Sequence, residues 1–92
     1  MIRSFRDKDT AALAKGRWVK KFQAFTEQAR TRLRRLEAAT SLEDLRILPS
    51  NRLHPLRSDR DGQWSISINR QWRICFEWRD GAAWNVEIVD YH

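Results

Sequence analysis

The sequence predicts an α+β domain in which N-terminal helices pack on one face of a mainly antiparallel β-sheet. Apolar residues recur at steps of three and four in the first half, then at every second position beyond Pro49. Asn69-Arg70-Gln71 and Asp80-Gly81 are tight-turn signals that fold successive strands back antiparallel. With 92 residues, one domain spanning 1–92 is expected and two are excluded. A domain this small buries only about 60–65% of its unfolded surface, so its stability is modest or borrowed from a partner.

Ile2 to Phe5 alternates apolar and polar residues, as a short strand does. Asp7 or Asp9 caps a short helix through Ala11, Ala12, Leu13 and Ala14, with Gly16 as its stop. Val19, Phe22, Phe25, Thr26, Ala29, Leu33 and Leu36 then trace one apolar helix face ending near Ala39 or Thr40. Gln28, Arg30, Arg32, Arg34, Arg35 and Glu37 fall opposite, most simply as a solvated face. Ser41 and Asp44 cap one further turn containing Leu42 and Leu45. Beyond Pro49 three strands are expected. Trp64, Ile66 and Ile68 form one inward row, Trp72, Ile74, Phe76 and Trp78 a second, and Trp84, Val86 and Ile88 a third. Ser65, Ser67, Arg73, Cys75 and Glu77 should line a half-open polar face. Four of the five tryptophans sit in these strands and read as core, leaving Trp18 as the one for a partner surface.

Composition narrows the function. The chain is 41% hydrophobic and 33% charged, as soluble globular proteins are. Its 18 Lys+Arg against 12 Asp+Glu give +6, which points to a polyanionic partner. Fourteen of those cations are Arg and four are Lys. The guanidinium fork grips phosphate bidentately and stacks on bases, so the bias suits nucleic acid, although codon composition alone also produces it. The single Cys75 excludes an internal disulfide and a cysteine zinc cluster. The acidic residues are scattered and only three glycines are present, so neither a metal site nor a Gly-rich phosphate loop is expected, and no cofactor. No leader-like or membrane-spanning apolar run is visible, which gives a cytoplasmic expectation.

Three residues attract chemical attention. His54 precedes Pro55 and is thereby pushed toward extended backbone. His92 follows the last strand, in Asp90-Tyr91-His92. Arg73 lies on the polar sheet face, either paired with Glu77 or Glu87 or free to hold a phosphate. Spacing permits His54, Arg73 and His92 to meet but does not bring them together. Each histidine alone also fits an ordinary solvated surface position.

The stretch from Leu53-His54-Pro55-Leu56-Arg57 through Asp61-Gly62-Gln63-Trp64-Ser65-Ile66 resembles the central motif of HigB-type toxins of the RelE/ParE superfamily. Trp72-Arg73-Ile74-Cys75-Phe76, Val89-Asp90-Tyr91-His92 and the opening Met1-Ile2-Arg3-Ser4-Phe5 are similar to the same family, as is the helix-then-meander order. The resemblance implies a RelE-like fold and a toxin that enters the ribosomal A site and cuts translated mRNA without a metal. It carries over catalytic positions to His54, Arg57, Arg73, Asp90, Tyr91 and His92. Arg57, Arg60, Arg70 and Arg73 become candidate phosphate ligands. It also implies a HigA-like helix-turn-helix antitoxin, through which the complex would reach operator DNA. Position 57 is often Lys in this family. Arg57 stays protonated, so it can hold a phosphate but cannot serve as a base. The competing readings are a ParE-like DNA gyrase inhibitor, which has no chemical use for the histidine and Asp90-Tyr91-His92 set, and a non-catalytic RNA- or ribosome-binding module.

Overall fold

The computed structural model describes residues 1–90. Helix α1 (Lys8–Ala14) is capped by Asp7, whose carboxylate accepts from the Thr10 amide at 2.9 Å. Gly16 follows it at φ 89°, a left-handed conformation that glycine adopts without steric cost. A 3₁₀ turn (Lys20–Phe25) then leads into α2 (Thr26–Ala38). The sequence predicts one continuous helix here; instead Phe25 leaves helical space at φ −137°. The physical reason lies in the aromatic pair. Residues i and i+3 of a 3₁₀ turn eclipse one another, so Phe22 and Phe25 meet the same target, Trp72, with ring centroids at 5.8 and 4.9 Å. Helix α3 (Leu42–Arg46) opens with the expected capping box, Ser41 and Asp44 bonding each other's backbone.

Four strands follow: β1 (His54–Pro55), β2 (Gln63–Ser67), β3 (Trp72–Arg79) and β4 (Ala82–Asp90). They form one antiparallel sheet in the order β1-β2-β3-β4. Strand β1 is an addition to the three expected. It is only two residues long and lies at the edge, where the missing amide of Pro55 leaves no gap in an inner ladder. Ile2 and Phe5 make isolated parallel bridges to Ala83 and Val86 instead of a strand. Together with Thr10, whose hydroxyl accepts from the Ile88 amide at 3.0 Å, they cover the outer edge of β4.

Leu33 and Leu36 of α2, with Leu13 and Phe22, pack on Ile66, Ile74, Phe76, Val86 and Ile88 of the sheet. Trp84 departs from the expected inward row. Asn85 sits at φ 53°, and the β3–β4 register shifts between Cys75 and Glu77. This bulge moves the alternation by one residue. Ala83 takes the fully buried place opposite Trp78, while Trp84 lies opposite Glu77 and stacks under Arg79 at 4.6 Å. The helix arginines are more engaged than a solvated face suggests. Arg32 donates to the Ser67 carbonyl at 2.9 Å, and Arg35 to Asn51 at 2.9 Å. No helix among the described residues is long and apolar enough to cross a membrane.

Candidate active site

The sheet face turned away from α2 is organised by its register. His54 lies opposite Ser65, Ser65 opposite Cys75, and Cys75 opposite Glu87, one row across four strands. Arg73 stands on the same face, one step along, opposite Ser67 and Val89. Among the described residues its guanidinium meets Ser65, Arg52 and His54. Nε donates to the buried Ser65 hydroxyl at 2.8 Å, and Nη2 donates to the Arg52 carbonyl at 3.0 Å. Nη2 also lies 3.1 Å from His54 Nδ1. A guanidinium only donates, so Nδ1 accepts and the ring proton falls on Nε2. His54 therefore turns an N–H outward from this contact.

The carbonyl of Arg52 reaches Arg73 because Arg52 adopts left-handed backbone, φ 47° and ψ 51°, after the 3₁₀ turn Pro49–Asn51. Fully buried Asn51 anchors that turn. Its amide donates to the Leu45 carbonyl at 3.0 Å, and its oxygen accepts from Arg35. Sequence reasoning does not single out Arg52 or Asn51. Their contribution runs through backbone geometry, which no side-chain pattern announces.

The other predicted positions spread around this centre. Arg57 is exposed just before the turn Ser58–Arg60. Arg60 is half-buried and bonds Glu87 at 3.3 Å and Gln63 at 3.2 Å. Glu77 meets Arg79 and Asn85, so the two glutamates considered for Arg73 both hold other groups. Arg70 is exposed in the β2–β3 turn. Asp90 lies opposite Trp72, which puts Val89 rather than Asp90 on the face of Arg73, and it accepts from Gln71 at 2.9 Å. Tyr91 and His92 lie outside the described residues.

Ser65 and Cys75, which strand alternation assigns to a half-open face, are both fully buried. Arg60, Arg73 and Glu87 surround the thiol. Burial pushes its pKa up, with Glu87 in the same direction and the two arginines against it. A raised pKa keeps the sulfur protonated and poorly nucleophilic. Cys75 should therefore resist a thiol-specific disulfide reagent in the native protein and react at once in denaturant; rapid native labelling would contradict this.

Beside Arg73, a depression of about 520 Å³ is lined by Ser50, Arg52, Ser67, Asn69, Arg70 and Arg73, with Ile68. Among the described residues, the charged groups that line it are Arg52, Arg70 and Arg73. Among the described residues no group of three or more His, Cys, Asp or Glu gathers as a metal site. The arrangement suits an anion held by fixed donors, with an imidazole N–H at its side.

The sequence model of the family described as "RelE-like toxin of type II toxin-antitoxin system HigB" matches residues 3–92. The chain is 39% identical over 61 residues to Endoribonuclease HigB of Proteus vulgaris, covering 66% of this chain and 65% of that protein. It is 46% identical over 50 residues to Toxin HigB-1 of Vibrio cholerae serotype O1, covering 54% of this chain and 53% of that one. The chain thus spans between about half and two thirds of the length of these curated relatives.

Proposed function

The chain belongs to the family of RelE-like HigB toxins of type II toxin–antitoxin systems, and from that premise we propose that it is a ribosome-dependent endonuclease that cuts translated mRNA in the A site. The observation that carries this reading is the fixed guanidinium of Arg73, held by Ser65, Arg52 and His54 beside a cationic depression. The similarity to a protein named Endoribonuclease HigB supports it.

The reaction uses RNA's own nucleophile. The 2′-OH attacks the adjacent phosphorus in line while the P–O5′ bond breaks, leaving a 2′,3′-cyclic phosphate and a free 5′-OH. One proton leaves the 2′ oxygen and one reaches the departing 5′ oxygen. Arg73 offsets the extra charge on the phosphoryl oxygens; it is already oriented, so little reorganisation is needed at the moment of reaction. His54, with Nδ1 accepting from Arg73, offers Nε2–H as a hydrogen bond to a phosphoryl oxygen and is neither base nor acid in this arrangement. The two proton transfers, from the 2′ oxygen and to the leaving 5′ oxygen, then fall to Asp90 and His92. Histidine suits either proton step because its ordinary pKa lies near working pH. Arg57 and Arg70 hold flanking phosphates, and Tyr91 stacks on a base or donates to the RNA. Arg60, tied to Glu87, contributes at longer range. The partner that restrains this activity is a HigA-like helix-turn-helix antitoxin, and operator DNA is contacted through it.

The chemistry of the new ends tests this directly. Cleaved mRNA should accept label from polynucleotide kinase at the downstream 5′ end without prior phosphatase treatment, and the upstream fragment should end in a cyclic phosphate. A 5′-phosphate with a 3′-OH would sink the 2′-OH mechanism.

A further inference from the structure

We infer that Asn51 is a positioning residue for the Arg73 guanidinium, acting through the Arg52 carbonyl, with Arg35 of α2 as the support that holds Asn51 in place. The inference rests on the nuclease reading for the reaction that Arg73 serves. Nη2 of Arg73 donates to the Arg52 carbonyl at 3.0 Å and lies 3.1 Å from His54 Nδ1. Both acceptors belong to one short strap, residues 51–54, that leads from the 3₁₀ turn into β1. A guanidinium donates along fixed N–H directions, so the place of the strap sets the place of the fork.

The far end of the strap is secured by strand pairing, with His54 opposite Ser65. Its near end is secured by Asn51, which is fully buried. Asn51 Nδ2 donates to the Leu45 carbonyl at 3.0 Å, at the end of α3. Its Oδ1 accepts from Arg35 Nη1 at 2.9 Å, and its backbone amide donates to the Leu48 carbonyl at 2.9 Å. Arg35 also donates to the Ser50 hydroxyl at 3.2 Å. Asparagine suits this place because one short side chain must donate and accept at once; leucine could do neither and aspartate could not donate. The next residue, Arg52, takes left-handed backbone at φ 47° and ψ 51°. That conformation is costly for arginine and persists only where the surroundings hold it. It aims the Arg52 carbonyl at Arg73. A donor to developing charge acts only while it is held close to the productive geometry. Releasing the strap leaves the charge of Arg73 in place but lets the fork swing, so the loss falls on turnover rather than on binding.

A double-mutant cycle tests the assignment. Cleavage of ribosome-bound mRNA would be measured for Asn51→Ala and Arg35→Met, each in the native and the Arg73→Ala background. Leu13→Ala controls for lost stability, since Leu13 is buried in α1, within the core on the other face of the sheet. Asn51→Ala should lower kcat by about tenfold while KM changes less than about twofold, and Arg35→Met should act in the same direction. In the Arg73→Ala background each should lower cleavage by less than about twofold, because no guanidinium remains to be positioned. Leu13→Ala should have the same effect in both backgrounds. Arg35 is half-buried at the surface, so Arg35→Met keeps the cycle decisive if Asn51→Ala does not fold. On the free protein, the heteronuclear NOE of the Arg73 Nε–H should fall in Asn51→Ala and Arg35→Met and hold in Leu13→Ala. Equal losses in both backgrounds, or an unchanged Arg73 signal, would overturn the positioning role. An Arg73 signal loosened as expected, in a protein whose native form cuts no mRNA, would keep the positioning role and overturn the nuclease reading instead.

Discussion

Arg73→Ala should lower ribosome-dependent cleavage by about 10²–10³-fold, the loss typical when one fixed donor to a developing oxyanion is removed. The same change leaves the buried Ser65 hydroxyl without its guanidinium partner. An abandoned buried polar group costs about 1–3 kcal/mol, so the variant should melt earlier yet still fold. Arg73→Lys separates the two effects. An ammonium keeps the charge but lacks the fork that reaches Ser65 and Arg52 together. It should remain strongly impaired in cleavage. Cleavage near the native level from a folded Arg73→Ala protein would remove the assignment.

Phe22→Ala is expected to have the largest effect on stability. Phe22 is fully buried and meets both Phe25 and Trp72. Truncating such a ring costs about 3–5 kcal/mol, a large part of the roughly 5–15 kcal/mol available to a domain. The Tm should fall by roughly 15 °C or more at this size. Because Trp72 precedes Arg73 in β3, the loosened cluster should also reduce cleavage below the melting transition. A fall of only a few degrees would show that the Phe22 ring is not a main anchor of the core.

The period change at Pro49 made the division into helices and sheet legible, and the capping residues Asp7, Ser41 and Asp44 stand where the sequence places them. Strand alternation also put Arg73 on the correct face. What escaped the sequence was geometry set by single backbone angles. Asn85 at φ 53° turns Trp84 out of its predicted row. Arg52 at φ 47° supplies the carbonyl that orients Arg73. Arginine at 52 gives no sign of a left-handed site, and Asn85, although asparagine tolerates that backbone, lies inside an alternating run that reads as plain strand. The contact between His54 and Arg73 spans 19 positions and follows from the pairing of β1 with β2, a strand too short to show alternation. Ser65 and Cys75 are buried where a simple inside–outside alternation expects solvent, with Arg73 bonded to the Ser65 hydroxyl and both Arg60 and Arg73 near the thiol. The roles of Asp90, Tyr91 and His92 rest on the family likeness, and the last two lie outside the described residues.

The central claim is tested most directly by adding the purified protein to a reconstituted translation reaction and mapping mRNA 5′ ends by primer extension. The reaction would run with and without ribosomes, beside a folded Arg73→Ala/His92→Ala variant. New ends at A-site codons, present only with ribosomes and only with the native protein, are the predicted result. No new ends from a folded native protein, or equal ends from the variant, would contradict it.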